Sequence, residues 1–257
     1  MITVVNHTWR KIHGFLVTLG EATFFFLRLL KDTPRAFLRP GLISRQVYLI
    51  GANSLVLIMM SGLFVGMVLG LQFYNTMSKF GAEQSLGPVV VLALVRELGP
   101  VVTALLFAGR AGTALASEIG LMKATEQLAG MEMMAVNPFR YVVLPRFLGA
   151  LISMPLLTAI FNAIGILGAW FVAVQFMGLD NGQFWAPMPD NVDVYDDVLG
   201  GALKSVFFGA AAGLLAVFEG YRAYPTAEGV SRATTQTVVV TAMVVLILDY
   251  LLTAMMI

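Results

Sequence analysis

The sequence predicts an all-α integral membrane protein with five transmembrane helices, and three observations lead to this fold class. Hydrophobic residues make up 58% of the chain and charged residues only 12%, against roughly 25% charged in soluble domains. Residues 46–78 and 147–179 contain no Asp, Glu, Lys or Arg, and each run exceeds the ~20 apolar residues of one membrane crossing. Gly62, Gly66 and Gly70 recur every four residues, a spacing that lets membrane helices pack closely.

We predict one domain over residues 1–257. Within the second predicted span, Pro100 has no N–H for the carbonyl of Arg96, so a local opening or kink is expected there. The predicted spans are residues 46–73, 86–117, 142–177, 199–218 and 233–257.

Residues 1–40 are predicted to form an amphipathic helix that lies at the membrane interface. Large apolar residues recur from Trp9 to Phe26 among basic ones, a pattern typical of helices in the headgroup layer and not of a disordered basic tail. Glu21 interrupts the apolar run and no small-residue cleavage site follows, which argues against a signal peptide. We expect Pro34 and Pro40 to break this helix before the first span.

The segment 118–136 is predicted to be a short amphipathic helix between the second and third spans. The residue before Pro138 is disfavoured in the α region, which ends the helix. It is either an interfacial linker or a coupling helix, the element by which ATP-binding cassette (ABC) permeases dock onto a separate ATPase. The residues expected to contact such a partner are Glu118, Lys123, Glu126, Gln127, Leu128, Met131, Glu132 and Met134.

The distribution of basic residues predicts the topology. Residues 1–45 carry seven Lys or Arg, and five more follow in the segments 118–146 and 219–232, whereas the opposite side shows only Lys79. We therefore expect the N-terminus and the segment 118–136 in the cytoplasm. The C-terminus and the loop 178–198, which holds five Asp and no basic residue, are expected outside.

Apart from Arg146 at the start of the third span, five charged residues fall within the predicted spans. Each costs about 2.5–3.5 kcal/mol at mid-bilayer, so they must pair, reach the interface or line a polar interior. They form either an ion-pair network that holds helices together or a charged gate in a transport path. Glu97 and Asp249 are the expected partners of Arg96 and Lys204, with the pairs left open. The five are Arg96, Glu97, Arg110, Lys204 and Asp249.

No catalytic or metal site is predicted. The chain has no cysteine, and its two histidines, His7 and His13, lie within the first fourteen residues, without the ligand spacing of a metal site. No G-x-x-x-x-G-K-[ST] loop occurs, so nucleotide binding of the P-loop type is not expected in this chain.

Several motifs together resemble the MlaE permease family, the membrane subunit of the Mla lipid-transport ABC systems of Gram-negative bacteria. The resemblance covers residue 45 to the end, most specifically the central part of the chain. Glu219, directly before one motif, departs from the family pattern. The motifs are Arg96–Pro100, Ala108–Gly112, Glu118–Gln127, Met131–Pro138, Pro145-Arg146, Ser61–Gln72, Gly220-Tyr221 and Gly229–Thr235.

The resemblance implies a homodimeric permease in the bacterial inner membrane. Its partners would be MlaF-type ATPases, MlaB-type STAS proteins and a periplasmic hexamer of MlaD-type MCE proteins, with no nucleic acid. ATP and magnesium would belong to the ATPase, and phospholipid would be bound between the two permease copies. The function implied is phospholipid movement between the inner membrane and the MCE ring, which maintains outer-membrane lipid asymmetry. The candidates for the acyl-chain wall are Leu69, Met77, Phe80, Leu98 and Val101.

Two other functions remain open at this point. One is an ion-coupled secondary transporter that uses the buried charges, although five spans do not divide into the repeats such transporters need. The other is a membrane scaffold that anchors partner proteins without moving a substrate.

Overall fold

A computed structural model describes residues 2–36 and 40–256, which are mostly helical, with short turns between the helices and no strand among them. Five helices in this part of the chain are long and apolar enough to cross a membrane, which confirms the predicted number and order. We call them spans one to five. They are Pro40–Phe80, Glu83–Ala124, Phe139–Phe176, Tyr195–Arg222 and Ala227–Met256.

Several π-helical turns interrupt the α-helices, and the second span has two of them. The first of these, Ala93–Leu98, directly precedes Pro100, where the sequence predicted an opening. The α-helices are α1 (Ile2–Ala36), α2 (Pro40–Ser78), α3 (Leu86–Leu92), α4 (Gly99–Phe107), α5 (Thr113–Ala124), α6 (Gln127–Met133), α7 (Leu144–Phe171), α8 (Asn181–Trp185), α9 (Met188–Asn191), α10 (Leu199–Arg222) and α11 (Ala227–Met256). A 3-10 turn covers Glu83–Ser85, and the other π turns are Ala108–Gly112, Phe139–Val143, Val172–Phe176 and Val194–Val198.

Spans one and three pack backbone against backbone along the predicted glycine face. A Cβ added to Gly66 would lie 1.9 Å from the carbonyl oxygen of Gly165. At Gly62 and Gly70 the added atom would lie 2.8 Å from the carbonyl oxygens of Phe161 and Ala169. In lipid, helix association depends on close packing of this kind, so the seam fixes span one against span three.

The helix α1 docks on the ends of spans three and four that lie beside α6. Phe25 packs edge-on against Phe139 at 5.1 Å and Phe218 at 5.5 Å between ring centroids. Asp32 accepts a hydrogen bond from Nε of Arg140 at 3.1 Å. Pro34 lies inside α1, which ends two residues later at Ala36, and α2 begins at Pro40. The expected break at Pro34 itself is therefore wrong, because proline removes one hydrogen bond to the preceding turn without preventing helical φ in the residues that follow.

The prediction of one helix over 118–136 is wrong. Span two continues as α5 to Ala124, and a turn at Thr125 and Glu126 separates it from α6. Glu126 has a φ of 59°, a left-handed conformation that a continuous α-helix does not contain. The segment between spans two and three is therefore a helix end, a sharp turn and a two-turn helix.

Candidate functional site

The buried ammonium of Lys204 joins spans two, four and five. Its side chain is 3% exposed. Its Nζ donates to Glu97 Oε1 at 2.9 Å and to the Thr253 hydroxyl at 2.8 Å. The third acceptor, at 2.9 Å, is the carbonyl of Arg96, which lacks its helical partner because residue 100 is proline. All three donor hydrogens of the ammonium are thus satisfied.

A glycine brings span four close enough for this contact. A Cβ on Gly201, one turn before Lys204, would lie 2.0 Å from the carbonyl oxygen of Val95. The π turn of span two and the glycine of span four therefore fit against each other. The backbone, and not side-chain reach alone, places the ammonium at the opened carbonyl.

Asp249 supplies a second carboxylate to the same cluster. Its Oδ1 lies 3.9 Å from Lys204 Nζ, close enough for an ion pair but too far for a hydrogen bond. This oxygen is buried and has no hydrogen-bond partner within residues 2–36 and 40–256. The Thr253 hydroxyl also lies 3.1 Å from Glu97 Oε2. The cluster holds two carboxylates against one ammonium.

Arg96 pairs elsewhere, with Asp197, through Nε and a terminal nitrogen. Neither Glu97 nor Asp249 is its partner. Successive residues of a helix point about 100° apart, so the Arg96 side chain leaves span two in a different direction from Glu97, which faces Lys204. Asp197 is buried, and its second oxygen accepts the Asp193 N–H at 2.8 Å. The five aspartates of the loop 178–198 were the signal that sequence reasoning did not connect to Arg96.

The Arg96–Asp197 pair lies in the wall of an open cavity of about 520 Å³. Residues 189–193, Tyr195 and Asp196 form the rest of its lining. The cavity has one guanidinium among several carboxylates, and it adjoins the end of span two that carries Glu97. Polar groups therefore line this end of the helix bundle, next to the Lys204 cluster.

Arg110 does not belong to this cluster. It lies on the π turn Ala108–Gly112, fourteen residues after Arg96. Its hydrogen bond to the Ser54 hydroxyl is 3.4 Å long. The structure therefore brings together Glu97, Lys204 and Asp249, gives Arg96 an adjacent loop partner, and places Arg110 apart.

The candidates for an acyl-chain wall differ in their surroundings. Leu69, Met77 and Val101 are half-buried and pack against the main apolar core. Leu98 is also half-buried. Phe80, in the turn after α2, is 80% exposed.

The predicted docking residues divide into inward and outward groups. Leu128 is buried and Met131 is half-buried against the apolar cluster that holds α1. The exposed ones are Glu118, Glu126, Gln127, Glu132 and Met134. Met133, absent from the predicted set, is 86% exposed, so the outward apolar face of α6 is formed by Met133 and Met134.

Two contacts tie this segment to the spans. Arg146 pairs with Glu118 at 3.2 Å, which joins span three to the end of span two. Lys123 donates to the carbonyl of Tyr221 at 2.8 Å, which joins span two to the end of span four. Both contacts lie in the part of α5 that leads into α6, so spans two, three and four are joined next to α6. Among the described residues, no group of three or more His, Cys, Asp or Glu could hold a metal ion.

Comparisons with known proteins agree on the family. The family described as Permease MlaE matches residues 43–255. The chain is 50% identical over 256 residues to the intermembrane phospholipid transport system permease protein MlaE of Haemophilus influenzae, which covers 100% of this chain and 98% of that protein. A probable ABC transporter permease of Rickettsia felis is 35% identical over 253 residues, covering 98% of this chain and 97% of the relative. One from Synechocystis is 31% identical over 211 residues, covering 82% and 80%. The chain belongs to the MlaE permease family.

Proposed function

We propose that this chain is the permease subunit of an ABC transporter that moves phospholipid between the inner membrane and a periplasmic ring of MCE proteins. The observation that carries the proposal is the 50% identity, over the whole chain, to a permease named for intermembrane phospholipid transport. The chain is a transport subunit and not an enzyme, and its activity maintains outer-membrane lipid asymmetry. A separate ATPase binds ATP and magnesium.

The proposed topology places the N-terminus and α6 in the cytoplasm and the C-terminus outside. The Lys and Arg residues of α1, of the segment 118–146 and of the loop 219–232 support it, since cytoplasmic segments are enriched in these residues. In this topology α1 lies at the inner interface, and the cavity beside Arg96 opens to the periplasm.

The surface of α6 docks an MlaF-type ATPase, which itself carries an MlaB-type STAS protein. Met133 and Met134 are exposed at 86% and 70%, and flexible methionine side chains suit an adaptable apolar contact. Glu118 and Lys123, in the part of α5 that leads into α6, are held by spans three and four. A push on α6 therefore reaches the membrane helices through short, defined contacts.

A second copy of the chain completes the lipid cavity, and an MlaD-type hexamer lies above it. Only 11% of the most apolar stretch of span five is buried in a single copy. This exposure supports a partner or lipid on that surface. Leu69, Met77 and Val101 lie on the outer halves of spans one and two, and with Leu98 and Phe80 they line the acyl-chain wall. The cluster of Glu97, Lys204 and Asp249 gates headgroup passage beside this wall.

Met133→Glu tests the docking surface. Placing a carboxylate in an apolar contact leaves a charge without a partner, so we expect retention of the ATPase during purification to fall about tenfold or more. The measurement is the molar ratio of ATPase to permease after affinity purification of the tagged chain from cells that express the whole complex.

The matched control is Tyr224→Glu, which changes another strongly exposed side chain, 76% accessible, in the loop between spans four and five. We expect this variant to keep the wild-type ratio. A wild-type ratio for Met133→Glu, with the permease at its normal level, would contradict docking through α6.

A further inference from the structure

Arg110 is a half-buried guanidinium inside span two that lacks a carboxylate partner among the described residues. Its guanidinium donates to the Ser54 hydroxyl at 3.4 Å, and this hydroxyl already donates to the carbonyl of Ile50 at 2.8 Å. Two other cations within the spans show the contrast, since buried Lys204 has Glu97 at 2.9 Å and the more exposed Arg96 has Asp197. A neutral hydroxyl at the limit of hydrogen-bond length does not compensate a charge in the membrane.

The depth of Arg110 makes this deficit costly. It lies fourteen residues from Arg96 and eight from Glu118, about 21 Å and about 12 Å along a helix axis. Glu118 is paired with Arg146 at the α6 end of the span, so Arg110 is set about two turns inward from that end. Arginine side chains within membrane spans usually face the bundle interior or a polar cavity, pair with another group, or mark a substrate path.

The structure leaves space beside this guanidinium. Gly109 is exposed, and a Cβ built on it meets no atom within 4 Å. Gly51, one turn before Ser54 on span one, is equally open. Gly109 and Arg110 belong to the π turn Ala108–Gly112. Such turns inside α-helices occur frequently at functional sites.

A phosphate suits this position. The guanidinium presents paired N–H donors whose geometry matches two phosphate oxygens. Within the membrane the mobile molecule that carries such a group is a phospholipid, and half-buried apolar residues such as Leu106, one turn away, flank Arg110. We propose that Arg110, oriented by its contact with the Ser54 hydroxyl, binds the phosphodiester of a phospholipid at a second headgroup site, separate from the Arg96 end of span two. This inference rests on the proposed function.

Crosslinking from residue 109 tests the site. A photoreactive amino acid replaces Gly109 in the complete complex, reconstituted in vesicles of ³²P-labelled phosphatidylethanolamine and phosphatidylglycerol. We expect labelled lipid at residue 109, reduced about tenfold or more in Arg110→Gln, the loss expected for one charge-assisted hydrogen bond. Arg110→Lys should retain part of the labelling. Val56, 71% exposed on span one, carries the same photoreactive group as a control and should be labelled equally in all variants.

Two results would overturn the site. They are equal labelling at residue 109 in wild type and Arg110→Gln, and a crosslink from residue 109 to protein in place of lipid. If Arg110→Gln does not assemble, the test uses the wild-type complex. Its labelling by photoactivatable phosphatidylethanolamine is compared with its labelling by the matching diacylglycerol, which lacks phosphate. A preference of about tenfold for the phosphate-bearing probe is expected, and equal labelling would overturn the site.

The failures of the two proposals can be distinguished. If ATP drives phospholipid transfer but residue 109 shows no phosphate-dependent labelling, the second headgroup site alone is overturned. Phosphate-dependent labelling at residue 109 without any ATP-driven transfer overturns the proposed function and leaves Arg110 as a lipid-binding residue.

Discussion

Gly66→Ala is expected to prevent stable folding of the permease. The added Cβ would lie 1.9 Å from the carbonyl oxygen of Gly165, and the backbone of span three cannot rotate away as a side chain would. Overpacking of a core usually destabilises the folded state by about 1–3 kcal/mol. A clash with backbone in the seam between spans one and three should cost about 3 kcal/mol or more. The measurement is the apparent melting temperature of the detergent-purified permease, together with its yield.

Gly51→Ala is the matched control, because it lies on the same helix and an added Cβ there meets no atom within 4 Å. We expect this variant to keep the wild-type melting temperature. If Gly66→Ala melted like Gly51→Ala, spans one and three would not be packed along this glycine face.

Lys204→Met is expected to be the most damaging single change in the charge cluster. It removes the donor to Glu97, to Thr253 and to the carbonyl of Arg96, and it leaves Glu97 and Asp249 without a cation. Breaking a buried ion pair by removing one partner costs about 3–5 kcal/mol. The measurement is the free energy of unfolding or, where unfolding is irreversible, the melting temperature of the purified permease.

Two further variants separate charge from other effects. Lys79→Met, at an exposed turn residue, should be neutral. Adding Glu97→Gln to Lys204→Met should recover part of the loss, since it removes one of the two uncompensated carboxylates. An unchanged or lower stability in the double variant would show that Lys204 does not act through Glu97.

The parts of the fold that depend on local chemistry were predictable from the sequence. Glycines four residues apart predicted the seam of span one, because small residues at that spacing share one helix face. Pro100 predicted the opening of span two, because proline removes one N–H. Apolar runs long enough to cross the hydrocarbon core of a bilayer predicted the five spans.

The parts that depend on long-range geometry were not predictable. Arg96 pairs with Asp197, 101 residues away, and periodicity does not show which loop folds over which helix end. The break before α6 requires Glu126 in a left-handed conformation, a region that residues other than glycine, asparagine and aspartate seldom enter. Met133, which follows that break, is 86% exposed, and the sequence did not include it among the expected docking residues.

The direct test of the account is the amount of phospholipid transferred per ATP hydrolysed by the complete complex in vesicles. We expect transfer of labelled phospholipid in the wild-type complex to require ATP hydrolysis. Glu97→Ala should lower transfer about tenfold or more while assembly and hydrolysis persist, because Lys204 keeps Thr253, the carbonyl of Arg96 and Asp249.

Wild-type transfer by Glu97→Ala would remove the charge cluster from gating. Transfer or ion flux by the chain alone, driven by a proton gradient without the ATPase, would contradict the account as a whole.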